Sequence, residues 1–129
     1  MNALFVYGTL RHGAAATHYT KGFKLCDYGR FPYVIRDDEG SKHLVLGNVE
    51  EVDKEKLAYY DYVEGTASGF YDRTVVTVYN LDTQKAEGET YIYIAGPNLL
   101  STVDEHKYVP KGDWVEYPKS QPSFVPARY

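Results

Sequence analysis

The chain has 129 residues, 43% hydrophobic and 25% charged, with a formal net charge of −4 at pH 7. These values describe one globular domain long enough for a single real core, and they exclude a disordered chain. Acidic and basic residues are mixed throughout, which argues against a nucleic-acid partner, because that calls for a basic face.

Ala3–Tyr7 is predicted as a buried strand that ends abruptly at Gly8. Arg11–Thr20 is polar, and its Ala14-Ala15-Ala16 run could support a short helix. Phe23–Tyr28 and Tyr33–Arg36 are strand candidates, separated by a turn from Gly29 to Pro32. Leu44–Val52 reads as a further strand, and Gly47 inside it suggests a bulge or a close backbone approach. Asp53 is the expected N-cap of a helix over Lys54–Val63, with Gly65 as its stop. Tyr71–Tyr79 and Glu89–Ala95 alternate and are rich in β-branched residues, with Leu81 to Lys85 as the loop of a hairpin between them. Gly96-Pro97 breaks the chain, and Leu99–Lys107 reads as irregular or as one helical turn. Residues 118–129 hold three prolines and no clear period. They are expected to form a tail that is packed on the surface or frayed, which leaves 1–117 as the domain. Many strands and one clear helix give an α+β domain with a curled or barrel-like sheet.

No apolar run reaches the length of a transmembrane helix, and the N-terminus lacks the pattern of a signal peptide, so no membrane association is expected. The single cysteine, Cys26, excludes an intramolecular disulfide and fits a reducing, cytoplasmic compartment. It falls in a predicted strand and reads as a small buried hydrophobe rather than a nucleophile. His12, His18, His43 and His106 show no metal-ligand spacing, so no metal is expected. The stretch from Gly8 to Gly13 lacks both the glycine spacing and the Lys-Ser/Thr pair of a phosphate loop. No serine sits in a nucleophile-elbow context. The 14 tyrosines are unusual. An apolar body with a polar tip suits a core that also lines a wet pocket.

Candidate chemistry falls in two places. The first is the turn after Ala3–Tyr7. Gly8 frees the backbone there, and a turn of this kind can point successive N–H groups into one space as a small anion cradle. The second is Glu64, which shares a helix face with Leu57 and Tyr60 at spacings of three and four. If that face is the buried one, Glu64 points into the core or a cleft. Burial and the helix C-terminus both disfavour its charge, so its pKa should be raised toward the range useful for general acid–base work. The alternative is a solvated glutamate beside a turn. Tyr71 and Arg73 share a strand face just beyond. They either line the pocket that Glu64 faces or serve as a core tyrosine and a snorkelling or paired arginine. Tyr91 and Tyr93 share a face of the partner strand and read as core, with a pocket-lining role open to one of them. Trp114 reads as a packed lid residue or an interface anchor.

The order of these motifs resembles the γ-glutamylcyclotransferase-like superfamily, in particular its γ-glutamylamine-cyclotransferase and AIG2-like branch. Tyr7-Gly8-Thr9-Leu10-Arg11 is similar to the family's N-terminal signature, and Gly47 to Asp53 to its glycine-containing strand leading into a helix. Leu57 to Gly65 resembles the helix that carries the family's catalytic glutamate. Tyr71-Asp72-Arg73 matches its Tyr-x-Arg, and Gly112-Asp113-Trp114 a C-terminal Gly-Asp-Trp of bacterial members. The resemblance implies a small mixed barrel flanked by helices, with a cavity at one end. It casts Glu64 as the general base and then general acid that closes a γ-glutamyl group to 5-oxoproline and frees an amine. The backbone of Tyr7, Gly8, Thr9 and Leu10 would hold the α-carboxylate and amine of that group, and Tyr71 and Arg73 would bind substrate or shape the site. It implies a small-molecule γ-glutamyl substrate and no cofactor; the residues leave monomer or homodimer open, an exposed sheet edge or tyrosine face being what would make a dimer. A non-catalytic module that uses the same cavity for a metabolite or partner is the alternative.

Overall fold

The computed structural model describes residues 2–37 and 43–117; the expected tail at 118–129 lies outside the described residues. The strands are β1 (Ala3–Val6), β2 (His18–Lys21), β3 (Phe23–Asp27), β4 (Pro32–Arg36), β5 (Leu44–Glu51), β6 (Tyr71–Asn80) and β7 (Ala86–Ala95); helix α1 (Lys54–Glu64) connects β5 to β6, and the short α2 (Pro97–Leu100) follows β7. Five strands close into a barrel in the order β1-β5-β2-β6-β7, while β3 and β4 form a separate two-stranded sheet. All barrel pairs are antiparallel except β1 with β7, which run parallel and complete the closure. Closure removes the exposed edges that an open five-stranded sheet would present. The domain is α+β, with a closed mixed barrel as its sheet.

Local sequence explains most of these elements. Asp53 caps α1, its carboxylate accepting the Lys56 N–H at 2.7 Å. Gly65 ends the helix in the left-handed region at φ 67°, where its N–H and that of Thr66 close back onto the last turn. Gly47 sits where β5 crosses β1, and a Cβ there would strike the Val6 carbonyl and the Phe5 ring. The expected close approach is therefore real, and it lets the barrel shut. Two expectations differ from the outcome. The Ala14–Ala16 run is not helical; a 3-10 turn over Thr9–Arg11 precedes it, and the polar stretch then supplies β2. His18 to Lys21 lacks an apolar run, and β2 exists because β5 and β6 offer it ladder partners on both sides.

The core is divided between two clusters. One holds Leu4, Val6, Cys26, Tyr33, Val52, Tyr60, Tyr71, Tyr93 and Leu99. The other holds Phe5, Tyr7, Leu25, Val34, Val45, Val76, Val78, Ile92 and Trp114. β1 contributes alternate residues to each, as a strand with two buried faces must.

Candidate functional site

Glu64 lies in the last turn of α1. The stripe of Leu57, Tyr60 and Glu64 faces the tyrosine-containing cluster, and Glu64 is 1% exposed, with both carboxyl oxygens buried. The sequence left a solvated glutamate open; the helix face decides for burial. The opposite flank carries Tyr59 and Tyr62, both exposed.

Tyr7 directly follows β1 and is fully buried. Its hydroxyl donates to the backbone carbonyl of Tyr93 at 2.6 Å. Burial raises its phenol well above the ordinary value, and the nearby Tyr71, Glu64 and Cys26 add to that shift. Groups from β3, β6 and α1 therefore lie close enough to Tyr7 to act on its charge. The Tyr71 hydroxyl donates to the Pro32 carbonyl at 2.9 Å, which fixes its ring.

The 3-10 turn follows directly. Gly8 is buried, Leu10 packs against the tyrosine-containing cluster, and the turn's hydrogen bonds run from the N–H groups of Arg11 and His12 to the carbonyls of Gly8 and Thr9. The N–H groups of Gly8, Thr9 and Leu10 sit at the leading end of that turn, where a short helix does not use them internally. Arg11 anchors the turn from behind. Its side chain is fully buried and reaches Asp113 Oδ1 at 2.6 Å, Asn48 Oδ1 at 3.0 Å and the Ala14 carbonyl at 2.8 Å. Arg11 therefore meets three acceptors from three segments, and Gly112-Asp113-Trp114 is tied to the N-terminal motif through it. The sequence reading named Arg11 and Asp113 only as parts of motifs; nothing in their spacing, 102 residues apart, shows that they meet.

The structure brings Tyr71 and Glu64 close to Tyr7, the residue before Gly8, and packs Leu10 against the cluster that holds Tyr71. Of the two readings left open for Arg73, the geometry fits the arginine paired with an acid. Arg73 does share its strand face with Tyr71, but the flank of α1 covers it rather than the core. Its Nη1 pairs with Asp61 Oδ2 at 2.9 Å, and its guanidinium lies 4.6 Å over the Tyr91 ring, with the side chain 30% exposed. A partly wet carboxylate on the helix is an easier partner for a guanidinium than a buried pocket wall. Tyr93 is fully buried and Tyr91 half-buried. A cleft of about 420 Å³, walled by Lys24, His43, Tyr108 and Lys111 among others, does not include Glu64 and adjoins the other cluster. Among the described residues no three His, Cys, Asp or Glu side chains come together as a metal site, and no helix is long and apolar enough to cross a membrane.

A small closed mixed barrel with a few helices is the fold of γ-glutamyl cyclotransferase-like proteins. The family described as "Gamma-glutamyl cyclotransferase, AIG2-like" matches residues 4–116, and the chain belongs to that family. A γ-glutamylaminecyclotransferase of Rattus norvegicus is 32% identical over 109 residues, which is 68% of this chain and 70% of the rat protein. The structure of YkqA from Bacillus subtilis shares the fold at a TM-score of 0.63 and 26% identity, covering 88% of this chain and 39% of that longer one. An AIG2-like protein from Mus musculus is 24% identical with a TM-score of 0.58, and the match covers 94% of this chain and 98% of the mouse chain.

Proposed function

We propose that this protein releases 5-oxoproline from a small γ-glutamyl amine or isopeptide, with Glu64 as the catalytic acid–base. The observation that carries this reading is the buried Glu64 carboxyl, close enough to the buried Tyr7 phenol before the Gly8–Leu10 turn to act on its charge. The name of the rat relative supports the γ-glutamylamine type.

The chemistry follows from what such a carboxyl can do. Glu64 takes one proton from the substrate's α-ammonium. The free amine attacks the γ-carbonyl carbon of its own chain, forming the new C–N bond of a five-membered lactam. Glu64 then gives its proton to the departing nitrogen as the old C–N bond breaks. The attacking nitrogen loses its second proton as the ring matures, and the freed amine ends as an ammonium. Burial and the helix C-terminus make the Glu64 charge costly, so the protonated acid that the second step needs is within reach. The attack is intramolecular. Holding the chain folded supplies much of the acceleration, since effective molarities for oriented groups reach about 10⁵ M or more. The N–H groups of Gly8, Thr9 and Leu10 would hold the α-carboxylate or stabilise the oxyanion, and Tyr71 would wall the pocket. Arg73 acts from outside it. The reaction calls for no cofactor, and its setting would be the cytoplasm.

The test is 5-oxoproline release from a panel of γ-glutamyl substrates, including γ-glutamyl-ε-lysine, γ-glutamyl-alanine and glutathione, by wild type and Glu64→Gln in parallel. Turnover by wild type that the variant lacks supports the reading. Saturable ligand stabilisation without 5-oxoproline from any substrate would instead identify a binding module.

A further inference from the structure

Tyr93 touches both segments that the cyclotransferase reading uses. Its hydroxyl donates to Asp61 Oδ1 on α1 at 2.6 Å, and its backbone carbonyl accepts the Tyr7 hydroxyl, also at 2.6 Å. Asp61 lies three residues before Glu64, so the two are neighbours along the surface of one helix. The second Asp61 oxygen is held by Arg73 at 2.9 Å, and Arg73 in turn rests on the Tyr91 ring. β6, β7 and the last turn of α1 are joined here through one carboxylate.

We propose that Tyr93, together with Asp61 and Arg73, is a positioning device that sets the Glu64-bearing turn of α1 against the Tyr7–Leu10 turn. Its catalytic consequence rests on the reading given above; its mechanical part does not. Helix ends fray, and α1 buries only a narrow stripe, so packing alone leaves its last turn poorly fixed. Tyr93 is fully buried, and its ring cannot shift without repacking the core. Its hydroxyl is therefore a fixed point, and the bond to a carboxylate is of the strong, charge-assisted kind. Because the same residue also receives the Tyr7 hydroxyl, the spacing between the helix turn and the end of β1 is set through a single side chain and its own carbonyl. A part-exposed ion pair such as Arg73–Asp61 contributes little to stability, so its value here is orientation. Displacement of a catalytic group by about 1 Å can cost about 100-fold in rate.

The full-length chain carrying Tyr93→Phe tests this, because the change deletes one oxygen and keeps the ring and the carbonyl. Two readouts apply. Amide hydrogen exchange should quicken at least five-fold at residues 61–65 while Thr74–Val78 keep their rates. On whichever substrate wild type turns over, kcat should fall at least ten-fold with KM within two-fold. Asp61→Ala should fall comparably, and the double variant should be no worse than Asp61→Ala alone. Unchanged exchange at residues 61–65 overturns the proposal, and so does a folded Tyr93→Phe that keeps its kcat. If wild type releases no 5-oxoproline, the cyclotransferase reading fails on its own, and the exchange result still decides the clamp.

Discussion

The two core clusters are built from the same strands yet differ in chemistry. The cluster around α1 carries the phenols of Tyr33, Tyr60, Tyr71 and Tyr93 beside Cys26, and Glu64 lies against it. The other is mainly aliphatic, with Val34, Val45, Val76, Val78 and Ile92 around Phe5 and Trp114, and Tyr7 at its edge is its one buried phenol among the described residues. Each phenol in the first cluster needs an acceptor, and the acceptors come from distant chain: Pro32 for Tyr71, Asp61 for Tyr93, Glu50 for Tyr60. Polar tips bring direction to the packing, which an aliphatic cluster lacks. The comparison teaches that one half of this core holds the barrel shut while the other holds groups in set orientations.

The sharpest test of that division is Glu64→Gln. It should lower 5-oxoproline release by about 10²–10⁴-fold, as loss of a general acid–base does. Its melting temperature, followed by circular dichroism, should stay within a few degrees of wild type, as the Gln side chain is nearly the same shape. Asp113→Ala should do the reverse. Stranding the buried Arg11 guanidinium costs about 3–5 kcal/mol in urea unfolding. Next comes a matched pair, one from each cluster. Ile92→Ala should lose about 2–5 kcal/mol, because it leaves a cavity among fully buried neighbours. Tyr71→Phe loses the bond to the Pro32 carbonyl, about 1 kcal/mol, and its main effect should fall on KM. Equal losses in the two would break the comparison.

The smallest effect is on pH. Burial pushes the Cys26 thiol from 9.0 up to about 11, against the Tyr33 hydrogen bond and the Lys24 charge, which lower it. Burial also raises Tyr33 and Tyr60. Between pH 9 and 11 the native thiol keeps a proton that the unfolded chain gives up, so stability falls as pH rises through that window. Cys26→Ala should flatten this slope in melting curves taken from pH 8 to 11. A slope that is unchanged would place the alkaline weakness outside the thiol.

Much of α1 was legible because its signals are local. Asp53 reaches three residues along, Gly65 adopts a conformation it alone tolerates cheaply, and the spacing of Leu57, Tyr60 and Glu64 fixes which residues share a face. The β6–β7 hairpin was legible for the same reason, through alternation and a polar loop. β2 was not, since His18–Lys21 is a strand only because two neighbours pair with it. The positions of Tyr71 and Arg73 on one strand face were also local facts, but what covers each of them was not.

The sequence by itself determined the domain class, the long helix and its caps, the helix face that Leu57, Tyr60 and Glu64 share, and the family. These depend on residue type and short spacing, which a chain displays before it folds. That the shared face is buried came from the structure. Only the tertiary structure decided that Arg11 meets Asp113 and Asn48, that Arg73 turns to Asp61, and that Tyr93 joins α1 to Tyr7. Those pairings span from 12 to 102 residues of chain. Barrel closure creates them, because it brings strands with no local relation within hydrogen-bond reach and leaves each buried polar group to find its partner there.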